Sequence, residues 1–86
     1  MSKIIQQKYI RTENDEIIIF PMSIEHSRFI NFKPISAGFC VVEESHVSCL
    51  GESFSLNLKS NEKEDSEIAT LQLFGLDAVL EFISKT

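Results

Sequence analysis

The sequence predicts an α+β domain, a small antiparallel β-sheet followed by helix. Three observations carry this reading. Residues 4–20 and 35–50 are runs of β-branched, aromatic and small apolar residues broken by polar turn clusters. After residue 60 the apolar positions change period, and Ile68, Leu71, Leu76, Val79, Leu80 and Ile83 fall at helical spacing. The chain has 86 residues with no linker, repeat or low-complexity tract, so residues 1–86 form one domain.

The elements follow in order. Ile4 to Arg11, the turn formers Thr12 to Asp15, then Glu16 to Phe20 read as strand, turn and strand. Pro21 ends the second strand. Ser23 is placed to cap one short helix, Ile24 to Ile30, because its hydroxyl can accept from an amide in the first turn; Asn31 and Pro34 close it. Ile35 to Val42 and His46 to Leu50 read as a second hairpin bent at Glu43-Glu44-Ser45. A four-residue loop over 43–46 pairs Val42 with Val47 and sets Cys40 opposite Cys49. Gly51 breaks the strand, and Ser53 to Lys59 reads as a further strand. A helix or helices then run to the C-terminus, capped by Ser60 or Asn61, with Glu64 and Asp65 well placed in the first turn.

Composition excludes several classes. A chain this short buries only about 60 to 65% of its unfolded surface, so an oligomer is expected. The helical apolar positions also exceed what a short helix can bury against a small sheet. The two cysteines lack a Cys-x-x-Cys spacing and no apolar leader opens the sequence, so zinc, thioredoxin chemistry and secretion are not expected. No apolar run approaches the roughly 20 residues of a membrane span. The expected setting is the cytoplasm, with free, packing thiols. The net charge of −5 argues against DNA or RNA as a partner. Residues 60–86 hold six acids against two bases, a balance of −4, whereas residues 1–59 hold seven against six, a balance of −1. The first two thirds are therefore free to present a pocket to a small anion.

Within Gly51 to Ser60, alternation puts Phe54, Leu56 and Leu58 on one side and Ser53, Ser55, Asn57 and Lys59 on the other. Two hydroxyls, an amide and an ammonium suit phosphate oxygens and base edges, although a polar solvated strand face accounts for them too. Ser36-Ala37-Gly38 permits close approach, and Phe39 beside it offers a stacking ring or a core side chain. Catalytic signals are thin. His46-Val47-Ser48 has the H-x-S form of two-histidine phosphoesterases, but His26-Ser27-Arg28 does not supply the second copy. There is no Gly-rich phosphate loop, nucleophile elbow or His/carboxylate metal spacing. No enzyme activity, cofactor or metal is expected.

Tyr9 to Thr12, Glu16 to Pro21, Ile35 to Phe39, Gly51 to Leu56, Lys59-Ser60 and Glu64 to Ser66 together resemble small tailed-phage proteins of the anti-CBASS sponge family, which includes a T-even phage member. The match covers roughly residues 8–70 and leaves Leu71 to Thr86 outside it. The resemblance implies a homo-oligomer in the host cytoplasm that sequesters a cyclic dinucleotide, cyclic GMP-AMP first among them, without hydrolysing it. About 45 ligand atoms at about 0.3 kcal/mol each allow nanomolar binding. A pocket of that size exceeds what one such domain can enclose, so the site is expected between subunits. The expected ligand-binding residues are Ser36, Phe39, Ser53, Ser55, Asn57, Lys59 and Arg11. A second reading is an acidic inhibitor that covers a host defence protein.

Overall fold

Two antiparallel hairpins share one sheet in the computed structural model, which describes residues 5–84. Strand β1 (Ile5–Thr12) pairs with β2 (Ile17–Phe20) on one side and with β3 (Pro34–Val42) on the other. Strand β4 (Val47–Leu50) completes the order β2-β1-β3-β4. The β3–β4 register is the expected one: Val42 faces Val47 and Cys40 faces Cys49, with Glu43 N donating to His46 O at 2.9 Å to close the loop. Loop length fixes register here, which is why a four-residue bend sufficed to read it.

Alternation along the strands sends side chains into two cores. Tyr9, Ile17, Cys40, Val47 and Cys49 pack on one face of the sheet with Ala69. Ile10, Phe20 and Ala37 point to the other, where they meet Ile18, Ile24, Phe29, Leu56 and Leu58. The first face is covered by α1 (Glu62–Phe74), the second by a 3-10 helix (His26–Phe32) and a small hairpin of β5 (Glu52–Ser53) and β6 (Leu58–Lys59).

The short helix lies two residues later than expected, and Ser23 does not cap it. Glu25 precedes its first turn without a side-chain cap, and Ile24 N is tied to Pro21 O at 3.1 Å in a turn of its own. Lys33, at φ 56°, ends it. The expected strand from Ser53 to Lys59 is also corrected. Residues 54–57 reverse the chain, Asn57 N donating to Phe54 O at 3.2 Å and Asn57 taking φ 54°, a conformation asparagine tolerates. The reversal brings Leu56 and Leu58 onto the same core and leaves Phe54 outside it.

Helix α1 begins after Asn61, one of the two expected caps, although the Asn61 side chain makes no cap bond. Its inward stripe is mainly polar: Asp65, Ser66 and Thr70 are buried with Ala69, while Leu71 is exposed. Two of these polar groups bond the outer edge of β4, Cys49 N donating to Ser66 Oγ at 2.7 Å and Val47 N to Thr70 Oγ1 at 2.9 Å. Gln72 does the same at the opposite edge, its side-chain amide bonding both N and O of Ile17. The helix thus occupies backbone groups on both edge strands, which would otherwise be open to strand addition. Gly75, at φ 92°, turns the chain into α2 (Leu76–Ser84), which packs against α1 and in which Val79 is buried. No helix among the described residues is long and apolar enough to cross a membrane.

Candidate functional site

The hairpin of residues 51–60 is where the sequence placed most of the ligand donors. Gly51, at φ 80°, opens it, and Ser60 N donating to Gly51 O at 2.9 Å closes its base. The base also needs Gly38, where a Cβ would stand 2.4 Å from the Leu50 carbonyl oxygen. In the β5–β6 register Glu52 faces Lys59 and Ser53 faces Leu58. The reversal takes the four polar residues off a single strand face but leaves Ser53 Oγ 3.4 Å from Ser55 Oγ. Ser53 is only 2% exposed and its Oγ accepts from Leu56 N at 3.3 Å, a turn-stabilising bond. Ser55, Asn57 and Lys59 are exposed. Phe54, on the same hairpin, is 88% exposed. What the structure brings together is thus a bare phenyl ring with a hydroxyl, an amide and an ammonium on one small protrusion.

Phe39 is half-buried. Its ring meets His26 edge-on at 5.8 Å and lies against Gly51, so its contacts are those of packing. His26 is buried, its Nε2 2.8 Å from Gly38 O. Burial lowers the His26 pKa, and Lys8 works in the same direction, partly opposed by the bond to Gly38.

Arg11 and Ser36 belong to a different assembly. They share a sheet face as register partners, and both reach Asp65 at the start of α1. Asp65 is fully buried and accepts from Tyr9 hydroxyl at 2.5 Å, Ser36 hydroxyl at 2.8 Å, Asn61 N at 3.0 Å and Arg11 Nη1 at 3.0 Å. Arg11 directs its remaining donors to Asp15 and Glu64, with Nη2 2.6 Å from each. Burial works against the charged guanidinium, but the bonds to Asp15, Glu64 and Asp65 outweigh it and raise its pKa. Burial followed by the bond to Asp65 raises the Tyr9 phenol well above its ordinary value. Arg11 and Ser36 are therefore engaged inside the domain, and every buried polar side-chain atom among the described residues has a partner. This hub was not legible as such: Tyr9 read as a strand residue and Asp65 as a helix-dipole charge. Tyr9, Arg11, Ser36, Ser60, Glu64 and Asp65, which meet here, all lie within the segments quoted for the resemblance.

Neither histidine is placed as a free base. His26 is held as above, and His46 Nε2 lies 3.2 Å from Glu43 at the β3–β4 bend. Cys40 and Cys49 are buried free thiols. Burial pushes Cys40 up to about 11, and burial with the neighbouring Cys40 and Asp65 pushes Cys49 up to about 12. Among the described residues no cluster of three or more His, Cys, Asp or Glu could hold a metal ion. A cavity of about 210 Å³ lies between β2 and α1, lined by Ile17, Ile19, Ala69, Gln72 and Leu73. It is smaller than the roughly 300 to 1,000 Å³ of a site for a drug-sized ligand. Fold and site together define a small antiparallel α+β domain with a polar and aromatic protrusion on one sheet face. Compared with known proteins, the chain matches no family model, no curated protein and no solved structure.

Proposed function

We propose that this chain binds a cyclic dinucleotide, cyclic GMP-AMP first among them, between subunits of a homo-oligomer and withholds it from a bacterial anti-phage effector without hydrolysing it. The observation that carries the reading is the exposed surface of this hairpin, with Phe54, Ser55 and Asn57 at its turn and Lys59 on β6 opposite Glu52. Hydroxyl, amide and ammonium groups suit phosphate oxygens and base edges, and the ammonium adds a charge-assisted bond to a phosphate. The resemblance to phage sponge proteins supports the ligand class. A site between subunits is favoured because the cavity between β2 and α1, at 210 Å³, is too small for two nucleotides, and a domain this short encloses little more. Binding rather than hydrolysis is favoured because His26 packs in the core and His46 pairs with Glu43.

A second reading has one observation of its own. Helix α2 leaves Leu76 62% and Leu80 57% exposed beside exposed Asp77 and Glu81, an apolar and acidic surface suited to covering a host defence protein. Calorimetric titration with cyclic GMP-AMP separates the two. Saturable heat at micromolar concentration or below is expected for the first, and no heat for the second.

A further inference from the structure

An unfilled apolar hollow and an uncovered aromatic ring of matching size lie on opposite faces of the sheet. The hollow is the 210 Å³ cavity between β2 and α1. Of its lining, Ile17, Ile19, Ala69 and Leu73 are aliphatic, and the Gln72 amide is already bonded to Ile17 N at 2.7 Å and Ile17 O at 3.3 Å. An aliphatic cavity of about 150 Å³ is enough to take benzene. This one admits one phenyl ring. Its rim residue Leu73 is 50% exposed, so a docked ring would cover further apolar surface.

The ring is Phe54. At 88% it is the most exposed large apolar residue in the described chain, and the hairpin's own packing is done by Leu56 and Leu58. Its root is nevertheless fixed, because the Asn57 N to Phe54 O bond and the Ser53–Leu56 bond set the turn. An aromatic held outward on an ordered turn loses little freedom on docking, which suits it to act as an anchor. It does not fill the hollow of its own chain, as its exposure shows.

We propose that Phe54 of one copy seats in the hollow formed by Ile17, Ile19, Ala69 and Leu73 of a second copy. Plug and hollow are different surfaces, so the contact is heterologous, and repeated contacts either close into a ring or continue as a filament. The inference rests on the reading of the ligand site as lying between subunits and names the surfaces that meet. Seating Phe54 carries its turn neighbours Ser55 and Asn57, with the hairpin that holds Lys59, onto the β2 side of the partner.

The test is sedimentation velocity of the full chain without ligand, over a wide concentration range. The unaltered chain is expected to self-associate. Phe54→Ala and Leu73→Glu, both at exposed positions, are each expected to weaken association by about 30-fold or more, the loss of a well-packed aromatic anchor, with circular dichroism unchanged. An equimolar mixture of the two variants is expected to give a heterodimer and nothing larger, since Phe54→Ala keeps the hollow and Leu73→Glu keeps the plug. The chain has no tryptophan, so Phe54→Trp supplies a single indole whose emission should shift to shorter wavelength as concentration rises. Association unaffected by both substitutions, or a Phe54→Trp variant whose emission stays that of a solvated indole in the oligomer, overturns the plug and leaves a site between subunits standing. A chain that is monomeric at every concentration overturns both.

Discussion

Replacing Asp65 by alanine removes the acceptor on which four donors converge, and the cost follows from the partners left behind. Arg11 keeps Asp15 and Glu64, so the cation is not stripped, and Tyr9 keeps Ser60 Oγ at 2.5 Å. The Ser36 hydroxyl and Asn61 N lose the acceptor that they share with Tyr9. Each unsatisfied buried donor costs about 1 to 3 kcal/mol, and removing one partner of a buried ion pair costs about 3 to 5 kcal/mol when the other is left bare. With Arg11 still paired, a total of about 3 to 5 kcal/mol is expected, against a stability of about 4 to 13 kcal/mol for a domain of this length. The loss falls on the junction of α1 with the sheet. Urea unfolding followed by Tyr9 fluorescence measures it, since Tyr9 is the single tyrosine and there is no tryptophan. Asp65→Asn, which keeps one acceptor oxygen, should fall between wild type and Asp65→Ala. A loss below about 1 kcal/mol for Asp65→Ala would refute the view that this carboxylate pins the helix to the sheet.

Lys59→Ala should weaken cyclic GMP-AMP binding by about 1.5 to 3 kcal/mol with folding unchanged, since Lys59 is exposed and would make a charge-assisted bond; equal affinity in calorimetry removes it from the site. The folded-state pKa of His26 lies below its ordinary 6.5, so the folded chain takes up this proton less readily than the unfolded chain. Stability is full above that value and declines as pH falls through it toward the folded value; His26→Gln should flatten that limb of a pH series of melting curves. Tyr9 is raised above its ordinary 10.0, so its contribution is full below pH 10.0 and is lost above it, and tyrosinate absorbance should appear together with unfolding rather than before it. The Cys40→Ala, Cys49→Ala double variant should lose about 1 to 3 kcal/mol through packing and keep ligand affinity. In the unaltered chain a thiol reagent at neutral pH should label both cysteines only as fast as the fold opens.

The sheet was legible because its signals are local. The Glu43 to His46 bend sets the β3–β4 register, and the alternation of Tyr9 with Ile10 divides the two cores. The hairpin of residues 51–60 was not, because Phe54, Leu56 and Leu58 alternate as a strand would. The contrary signal, Asn57 four residues from Ser53, is a turn residue whose left-handed backbone becomes visible only in three dimensions. Helix α1 hid its inward face for another reason. Asp65, Ser66 and Thr70 point inward to bond side chains and edge backbone, so apolar periodicity singled out Leu71, which faces outward. Of the expected ligand residues, Ser55, Asn57 and Lys59 are exposed on one hairpin, whereas Arg11, Ser36 and Ser53 are engaged within the domain and Phe39 packs beneath Gly51. Burial of a polar side chain depends on partners far away in sequence, 54 residues for Arg11 and Asp65.

The most direct measurement of the proposed function is recovery of the ligand. Cyclic GMP-AMP is incubated with a molar excess of the chain, free ligand is assayed after filtration, and the protein is then heat-denatured and the ligand assayed again. The account predicts that free ligand disappears on incubation and returns intact and in full after heating. Ligand that remains free throughout, or that returns as a linear or cleaved product, contradicts sequestration.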